Sequence, residues 1–334
     1  MSTPTKRPSR LDETRLGPRD AILRMSRYSP PTGGRQGKLR LDFNENTLGC
    51  SPEVRKFLSR TVSEAGLSVY PEYEEARPKL AEFFGAAEEE LLLTNGTDEV
   101  IQVLVNTFVD DGDEVLIPHP TYAMYRFYAE VAGAEIREVP YVGRDLQFPL
   151  EELLSAVTPR TRMIAIANPN NPTGTGIPLN VVQMILDNAP GAAVLVDEAY
   201  FEFSGLTALP LINKYQNLFV SRTFSKVYGL AALRMGCLFS QAGNIAFLRK
   251  GQSPYSVNAV AAAAASVAVD DQAYIRKYVG EVLAAKELLY VQLERFQIEY
   301  VRSQGNLVLI YAGERTPEVC EELRNRGILV RNRS

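Results

Sequence analysis

The sequence MIAIANPNNPTG, residues 163–174, joins a short apolar run to a turn rich in asparagine and proline. An apolar run of this length, bounded by turn residues, predicts a buried β-strand. Four other runs share the pattern, at residues 91–94, 114–117, 193–196 and 218–221. Helical patterns lie between the runs, at residues 98–108, 122–132, 150–157 and 179–188. This alternation predicts an α/β fold, in which a mostly parallel central sheet is flanked by helices.

The C-terminal part of the chain follows a different pattern. Two long helices, two strands, a further helix and a last strand are predicted at residues 257–269, 271–296, 298–301, 306–311, 317–325 and 328–330. These elements predict a smaller α+β domain, which the N-terminal segment joins or braces. The predicted organisation is an N-terminal arm with part of the small domain (1–60), a large domain (61–245) and a small C-terminal domain (246–334).

The composition excludes several kinds of chemistry. The chain has 334 residues, enough for one large domain or two modest ones. Its formal net charge is -4, whereas nucleic-acid-binding domains are usually basic. It contains a single histidine, His119, so a zinc site built on two or three histidines is excluded, and a Ser-His or Cys-His pair would have to use this residue. The glycine-rich fingerprints of dinucleotide-binding and P-loop proteins are missing as well.

Three features bear on the location of the protein. The cysteines Cys50, Cys237 and Cys320 are odd in number and far apart, as in a reduced intracellular protein. The longest apolar stretch, residues 257–269, is shorter than the roughly 18 residues that a membrane helix needs. The first 27 residues are rich in arginine and have no apolar core, which excludes a secretory signal and leaves an arm or a transit peptide. We therefore expect a cytoplasmic protein with neither a membrane nor a nucleic acid as partner.

Polar residues follow four of the predicted strands, at the edge of an open α/β sheet where ligands bind. Residues 96–98 begin a helix and fit either a phosphate-binding helix start or an ordinary helix N-terminus. Residues 168–174 fit either a ligand-binding loop or an ordinary connecting loop. Asp197 follows a buried strand, so its charge requires a partner, and Lys226 is either a surface lysine with a buried stem or a nucleophile. Together the four strand ends favour a site for a phosphorylated aromatic cofactor.

Four motifs occur together and in one order along the chain: Asn170-Asn171-Pro172-Thr173-Gly174, Asp197-Glu198-Ala199-Tyr200, Ser221-Arg222-Thr223-Phe224-Ser225-Lys226, and the segment from Gly229 to Arg234. In these motifs the chain resembles the fold-type I aminotransferases, which depend on pyridoxal 5'-phosphate (PLP). Within that group it is similar to the histidinol-phosphate aminotransferases in further segments: Leu41 to Asn46, Tyr70-Pro71, Gly96 to Glu99, Pro120 to Tyr122, Asp197 to Phe203 and Gly327 to Arg331. The resemblance covers nearly the whole chain and implies the PLP-transferase fold of type I, with a large cofactor-binding domain at residues 61–245.

The resemblance implies a role for each matching residue around PLP. Lys226 would bind PLP as a Schiff base and then act as the base at Cα of the substrate. Asp197 would pair with the pyridinium nitrogen, and its charge would keep that nitrogen protonated. Asn171 and Tyr200 would bind the phenolic oxygen, and Tyr122 would stack on the face of the ring.

The resemblance also implies a phosphate-binding set drawn from several loops: Gly96, Thr97, Asp98, Thr223, Ser225 and Arg234. Tyr70 would reach the phosphate from the other subunit of a homodimer. Simpler roles stay open for three residues. Asp98 fits a helix N-terminal acid, Ser225 fits a support for the turn that holds Lys226, and Tyr122 fits a core aromatic residue.

The same resemblance implies the substrates L-histidinol phosphate and 2-oxoglutarate, which would use one site in turn. The products would be imidazole acetol phosphate and L-glutamate, in a step of histidine biosynthesis. One anion pocket must then accept either a phosphate or a carboxylate, and the planar guanidinium of arginine suits both. Tyr28, Asn46 and Arg331 match positions that line this pocket, and no metal is implied.

Two positions depart from the pattern of the family. Relatives continue past the segment that ends at Arg331 with another strand, which carries a further anion-binding arginine, whereas this sequence stops at Ser334. Either the sequence given leaves out this strand or the site lacks the arginine. We expect the first, because a domain that ends within a sheet exposes a strand edge. Val69 stands where relatives commonly carry an arginine before Tyr70.

Three other functions remain open on the sequence alone. An aminotransferase for aromatic amino acids shares most of the motifs. A threonine-phosphate decarboxylase has the same fold and cofactor, although Asn44-Glu45-Asn46 favours an aminotransferase. A PLP-binding regulatory domain without turnover is disfavoured, because no basic helix-turn-helix region is fused to the chain.

Overall fold

The computed structural model describes residues 17–28, 33–63 and 67–333. The segment before residue 17 lies outside the described residues, and with it most of the predicted arm or transit peptide. The described α-helices are α1 (Asp20–Arg24), α2 (Pro52–Ser63), α3 (Ala76–Phe84), α4 (Gly96–Phe108), α5 (Ala123–Ala132), α6 (Leu150–Ala156), α7 (Leu179–Asn188), α8 (Phe201–Ser204), α9 (Ala242–Gly251), α10 (Ala259–Ala268), α11 (Gln272–Arg295) and α12 (Thr316–Asn325). The described strands are β1 (Leu39–Arg40), β2 (Leu91–Thr94), β3 (Glu114–His119), β4 (Glu135–Pro140), β5 (Thr161–Ala167), β6 (Ala193–Asp197), β7 (Leu218–Thr223), β8 (Gly236–Phe239), β9 (Tyr300–Val301), β10 (Leu309–Ile310) and β11 (Ile328–Leu329).

Seven of these strands form the central sheet, in the order β2-β8-β7-β6-β5-β3-β4. The five strands from β7 to β4 pair in parallel, and β8 pairs antiparallel with both β7 and β2. Of the seven strands only β8 therefore runs in the opposite direction. The carboxyl ends of the other six lie at one edge of the sheet. The predicted mostly parallel sheet is confirmed.

Both faces of the sheet are covered, which explains why its strands are apolar without alternation. Val194 and Val196 of β6 belong to a hydrophobic cluster that includes Ile185 of α7. Leu195, which points to the opposite face, belongs to a second cluster with Leu104 of α4. The residues of the inner strands thus meet a helix layer on one face or the other, as the α/β prediction requires.

Some elements were not predicted, for physical reasons that differ. Strand β4, with the sequence EIREVP, is the outermost strand on one side of the sheet. Most of its side chains are accessible, so it lacks an apolar run. Strand β8 is fully buried, but its sequence GCLF begins with glycine and has no β-branched residue. Helices α2, α3 and α9 were not predicted either, and of these α2 is largely polar. The small-domain strands β9 and β10 are present but shorter than predicted.

The N-terminal segment is tied to the end of the chain by a parallel pair of strands. Leu39 of β1 is in register with Ile328 of β11, and Arg40 with Leu329. Strands β9 and β10 form a separate antiparallel pair. The domain boundaries at residues 60 and 245 remain a prediction. Among the described helices, none combines the length and the apolar character that a membrane crossing requires.

Candidate active site

Four loops meet at the carboxyl edge of the central sheet. They follow β2, β5, β6 and β7, and they contain residues 95–98, 168–174, 197–200 and 223–226. Strand β8, which runs the other way, begins at this same edge. The segments that the sequence analysis selected are therefore brought together by the strand order, although they are up to about 130 residues apart in the chain.

Asp197 is the last residue of β6, the middle strand of the sheet. Its carboxylate accepts hydrogen bonds from the hydroxyls of Tyr125 (2.8 Å) and Ser221 (2.8 Å). Only 4% of the residue is exposed, and this burial raises the pKa of the carboxyl, while the two hydrogen bonds lower it. The partner that the sequence required for this acid is thus a pair of hydroxyl donors, which favour the charged carboxylate against the larger, opposite effect of burial.

Lys226 lies in the loop after β7 and points toward the N-terminal segment. Its ammonium donates a hydrogen bond to the backbone carbonyl of Phe43 (2.8 Å) and lies 5.7 Å from the centre of the Tyr200 ring. The side chain is therefore turned into the site and is only half-exposed. This geometry favours the nucleophile over the surface lysine that the sequence left open.

The hydroxyl of Tyr200 accepts hydrogen bonds from two side-chain amides. The distance from the amide nitrogen to the hydroxyl oxygen is 3.2 Å for Asn171 and 2.9 Å for Asn44. Asn171 was predicted at this place, whereas Asn44 was missed as a site residue. Its φ of +56° is a backbone conformation that asparagine adopts more readily than most residues, and its position in the segment from Leu41 to Asn46 was the signal that could have found it.

The first turn of α4 and the guanidinium of Arg234 form a candidate anion site. Helix α4 begins at Gly96, whose φ is +73°, and a Cβ at this position would overlap the guanidinium. Glycine is therefore required for Arg234 to lie against the helix start. The first N–H groups of an α-helix, including that of Thr97, have no partner within the helix. With the guanidinium they supply both donors and positive charge, as a phosphate requires.

Asp98 links this anion site to α5. Its carboxylate accepts hydrogen bonds from Arg234 (2.9 Å) and from the hydroxyl of Tyr122 (2.7 Å). Asp98 thus orients the arginine and the tyrosine, a role beyond that of a helix N-terminal acid. The ring of Tyr122 meets the ring of Tyr125 edge-on at 5.7 Å, and burial raises the pKa of the Tyr122 hydroxyl, so it stays protonated and can donate to Asp98.

Thr223 and Ser225 fix the turn that leads to Lys226. The hydroxyl oxygen of Thr223 accepts a hydrogen bond from the backbone N–H of Ser225 (3.1 Å), and both residues are buried. This contact supports the simpler role for Ser225, a brace for the turn. Direct binding of a phosphate by either hydroxyl remains a prediction.

Two arginines near the end of the described chain lie beside the site. Arg331 donates a hydrogen bond to the hydroxyl of Tyr28 (3.1 Å) and lies over the ring of Phe43 at 5.4 Å. Arg333, which was not predicted, donates to the side-chain oxygen of Asn171 (3.3 Å). Partial burial and the charge of Arg331 lower the pKa of Arg333. Two guanidinium groups that repel one another favour the binding of an anion. The signal that could have found Arg333 was its position two residues after Arg331, because side chains two residues apart in an extended chain point to the same side.

Asn46 uses both ends of its amide on the backbone. Its nitrogen donates to the carbonyl of Val227 (2.9 Å), and its oxygen accepts from the N–H groups of Leu48 (3.1 Å) and Gly49 (3.2 Å). The residue thus braces the segment after Lys226. Its predicted contact with substrate stays a prediction and would require the amide to leave these partners.

Tyr70 lies on the surface of the chain. It is 75% exposed, and its ring stacks on the ring of Tyr255 at 4.6 Å. An exposed tyrosine of this kind is available to a second copy of the chain. Its predicted contact with the phosphate across a dimer interface remains a prediction.

A buried ion pair joins β7 to the loop that contains Tyr200, and the sequence analysis did not predict it. Arg222 and Glu198 are 2.7 Å apart, with 3% and 0% of their side chains exposed. Thr207 hydrogen-bonds both partners, and the N–H of Ala208 donates to the carboxylate. The guanidinium also lies 3.4 Å from the ring centre of Phe201. The carboxylate and most of the guanidinium are thereby hydrogen-bonded within the protein, whereas Nη1 of Arg222 is buried without a partner.

The strand order, the lysine after β7 and the helix-start anion site define the class of protein, the fold-type I transferases. The chain matches the family described as aminotransferase class I and II over residues 36–334, and it belongs to that family. The sequence-based prediction of the fold and of the family is confirmed.

Individual relatives agree with this assignment. The histidinol-phosphate aminotransferase of Geobacillus sp. (strain WCH70) is 38% identical over 301 residues, which are 88% of this chain and 81% of the relative. That of Geobacillus thermodenitrificans is 38% identical over 303 residues, with the same shares. The crystal structure of histidinol-phosphate aminotransferase from Sinorhizobium meliloti in complex with pyridoxal-5'-phosphate has a TM-score of 0.82 and 24% identity, covering 88% of this chain and 82% of that one. At this identity the structural likeness concerns the fold alone.

Proposed function

We propose that this chain transfers the amino group of L-histidinol phosphate to 2-oxoglutarate with PLP as its cofactor. The observation that carries the proposal is the meeting of three groups at one sheet edge: the amine of Lys226, the carboxylate of Asp197 and the anion site of Arg234 with α4. They complement the aldehyde, the ring nitrogen and the phosphate of PLP. The two Geobacillus relatives, both described as histidinol-phosphate aminotransferases, support the choice of substrate.

The residues present fit this cofactor. Gly96 leaves the space beside Arg234 that a Cβ would fill. The amine of Lys226 is turned into the site, where its neighbours are the backbone carbonyl of Phe43 and the ring of Tyr200, and no carboxylate is hydrogen-bonded to it among the described residues. Asp197 is supported in its charged form by two hydroxyl donors. The hydroxyl of Tyr200, which accepts from two amides, keeps its own proton for a further acceptor.

Each residue then has a definable task. When bound, PLP supplies a sink for the electrons that are released as the Cα of the substrate loses its proton. Lys226 would hold the cofactor and, once the substrate amine replaces it, would move that proton. Asp197 would stabilise a positive charge on the ring nitrogen. Tyr200 would donate to the phenolic oxygen, with Asn171 beside it.

The substrates would share the arginine cluster of Arg331 and Arg333 with Tyr28. The amino donor carries a phosphate and the acceptor carries a second carboxylate, and a guanidinium binds either through paired hydrogen bonds. We propose further that the protein is a cytoplasmic homodimer in which Tyr70 of each chain reaches the phosphate bound by the other.

Reduction with borohydride in the presence of PLP tests the cofactor assignment. We expect one PLP adduct, found by peptide mass mapping on Lys226 and absent from Lys226→Ala. A matched control, Lys250→Ala on the surface, should be labelled like the wild type. Label on another lysine in the wild type, or no label at all, would contradict the proposal.

A half-reaction panel tests the substrate. Histidinol phosphate, phenylalanine, aspartate and threonine phosphate are added singly, and the absorbance of bound PLP is followed. We expect histidinol phosphate to convert PLP fully to its amine form. Conversion by phenylalanine and not by histidinol phosphate would make the protein an aromatic aminotransferase, and release of an amine from threonine phosphate would make it a decarboxylase.

A further inference from the structure

One face of helix α11 is buried, and this buried face contains a lysine, Lys286. The buried residues of the helix are Ile275, Tyr278, Lys286, Tyr290 and Leu293. Only 8% of Lys286 is exposed, and this burial lowers the pKa of its ammonium. A buried ammonium is unfavourable unless its hydrogen bonds are satisfied, and no task in the proposed mechanism uses this one.

Backbone carbonyls hold the ammonium of Lys286. It donates hydrogen bonds to the carbonyls of Ser303 (2.5 Å) and Gly305 (2.7 Å). The acid that follows it in the helix, Glu287, is exposed and binds Arg302 instead (3.4 Å). Two carbonyls of one short loop thus take the place of a carboxylate partner. Residues 303–306 form this loop, here named the contact loop.

The contact loop packs against the loop that contains Asn171. The N–H of Gln304 donates to the carbonyl of Gly174 (2.9 Å). Gly174 has a φ of +74°, and a Cβ on it would overlap Ser303. The backbones of the two loops are therefore in direct contact. A displacement of the contact loop would also displace the loop that contains Asn171.

The contact loop also reaches Tyr200 and Asn44 directly. Gly305 lies against the Tyr200 ring, where a Cβ would come within 3.3 Å of a ring carbon. The side-chain amide of Asn306 donates to the backbone carbonyl of Asn44 (3.1 Å). The ring of Tyr200 and the backbone of Asn44, whose side-chain amide binds the Tyr200 hydroxyl, are thus both in contact with the loop that Lys286 holds.

We propose that Lys286 is a positioning residue, which pins the contact loop and thereby keeps the Tyr200 hydroxyl at the amides of Asn44 and Asn171. A neutral side chain at this position would leave the two carbonyls without their donor and release the loop. The link to the cofactor rests on the proposed function, in which Tyr200 binds the phenolic oxygen of PLP.

Amide hydrogen exchange in the protein without added PLP tests the first part of this inference. In Lys286→Met we expect the Gln304 amide to exchange about tenfold faster, the effect of losing a hydrogen bond to a charged group. The amides of β6 should keep their protection. The control is Lys277→Met, on an exposed face of the same helix, which should exchange like the wild type. An unchanged Gln304 amide in Lys286→Met would overturn the inference.

The absorbance of bound PLP as a function of pH tests the second part. A hydrogen bond to the phenolic oxygen favours its charged form, so a displaced Tyr200 should raise the pH at which the absorbance changes. We expect this upward shift in Lys286→Met and its reversal in Lys286→Arg, which retains charged donors. A role in stability alone would leave the titration where it is in the wild type.

Two further observations keep the outcomes separate. If Lys286→Met does not fold, Lys286→Gln takes its place, because its shorter neutral side chain keeps amide donors but cannot hold both carbonyls as the ammonium does. We expect the same upward shift in Lys286→Gln, and a wild-type titration there would overturn the inference. If the wild type itself does not bind PLP, the proposed function fails, and the exchange of Gln304 still decides whether Lys286 holds the loop.

Discussion

At the level of single residues, Glu202 is a partly buried residue whose carboxyl group is enclosed, and the charge state of that carboxyl depends on pH. Burial raises the pKa of its carboxyl to about 7, although Arg222 and a hydrogen bond with Tyr228 lower it and Glu198 raises it. The folded chain therefore binds a proton that the unfolded chain releases above its ordinary pKa of 4.5. The contribution of Glu202 to stability is therefore fully present below that value and is lost as the pH rises through about 7, by up to about 3 kcal/mol.

We predict that Glu202→Gln removes most of this pH dependence. The free energy of unfolding in urea, measured at about pH 5 and about pH 8, should fall more in the wild type than in the variant, by up to about 3 kcal/mol. Glu321→Gln, on the exposed side of α12, should retain the wild-type dependence. Parallel pH profiles for Glu202→Gln and the wild type would show that another group is responsible.

Arg331 is the residue on which the proposed substrate pocket depends most directly. We predict that Arg331→Met raises the KM for histidinol phosphate and for 2-oxoglutarate about 10-fold to 100-fold, since both lose a charged hydrogen bond to the same guanidinium. Steady-state kinetics with each substrate varied in turn measure this. Arg326→Met, which removes only a surface ion pair with Glu322, should leave both KM values unchanged. A rise for one substrate alone would mean that the two anions bind at separate places.

At the level of elements, the pair of Glu198 and Arg222 joins the end of β6 to β7. We predict that Arg222→Met or Glu198→Gln alone lowers the free energy of unfolding by about 3–5 kcal/mol, because each leaves a buried polar group without its partner. The double variant should cost less than the sum of the two. Urea unfolding of the four proteins measures the difference, and simple additivity would show that the two side chains act independently.

The elements that the sequence predicted are those whose pattern is local. Strands β2, β5, β6 and β7 were found because each is an apolar run buried on both faces, and α7 was found at its observed bounds of Leu179–Asn188. Strand β4 was missed because an edge strand needs no such run. Its place in the sheet comes from pairing with β3, which no short stretch of sequence records.

The site residues differ in the same respect: some could be predicted from a local pattern and others could not. Lys226 and Asp197 were predicted because they follow buried strands, where strand order alone brings loops together. Asn44 and Lys286 were not, since each acts through contacts with residues more than a hundred positions away or with backbone carbonyls. Such contacts depend on the packing of the C-terminal elements against the sheet, and they cannot be predicted from the type of a single residue.

At the level of the whole molecule, exposed apolar side chains are grouped around Tyr70. Leu67, Val69 and Tyr70 are 60%, 69% and 75% exposed, and Tyr255, which stacks on Tyr70, is 55% exposed. Exposed apolar residues grouped in this way mark surfaces that bind another protein. The proposed homodimer would cover them and would bring Tyr70 to the other chain's anion site.

Mixing two inactive variants tests this arrangement. Lys226→Ala lacks the amine that would bind PLP, and Tyr70→Ala lacks the side chain proposed to cross the interface, so each homodimer should be inactive or weak. In a mixed dimer, one site combines an intact Lys226 with an intact Tyr70 from the partner chain. An equal mixture that exchanges freely should therefore recover about a quarter of the wild-type activity, because half the dimers are mixed and each has one complete site. If Tyr70 acted within its own chain, every site in the mixture would be defective, and activity would not rise above that of Tyr70→Ala alone.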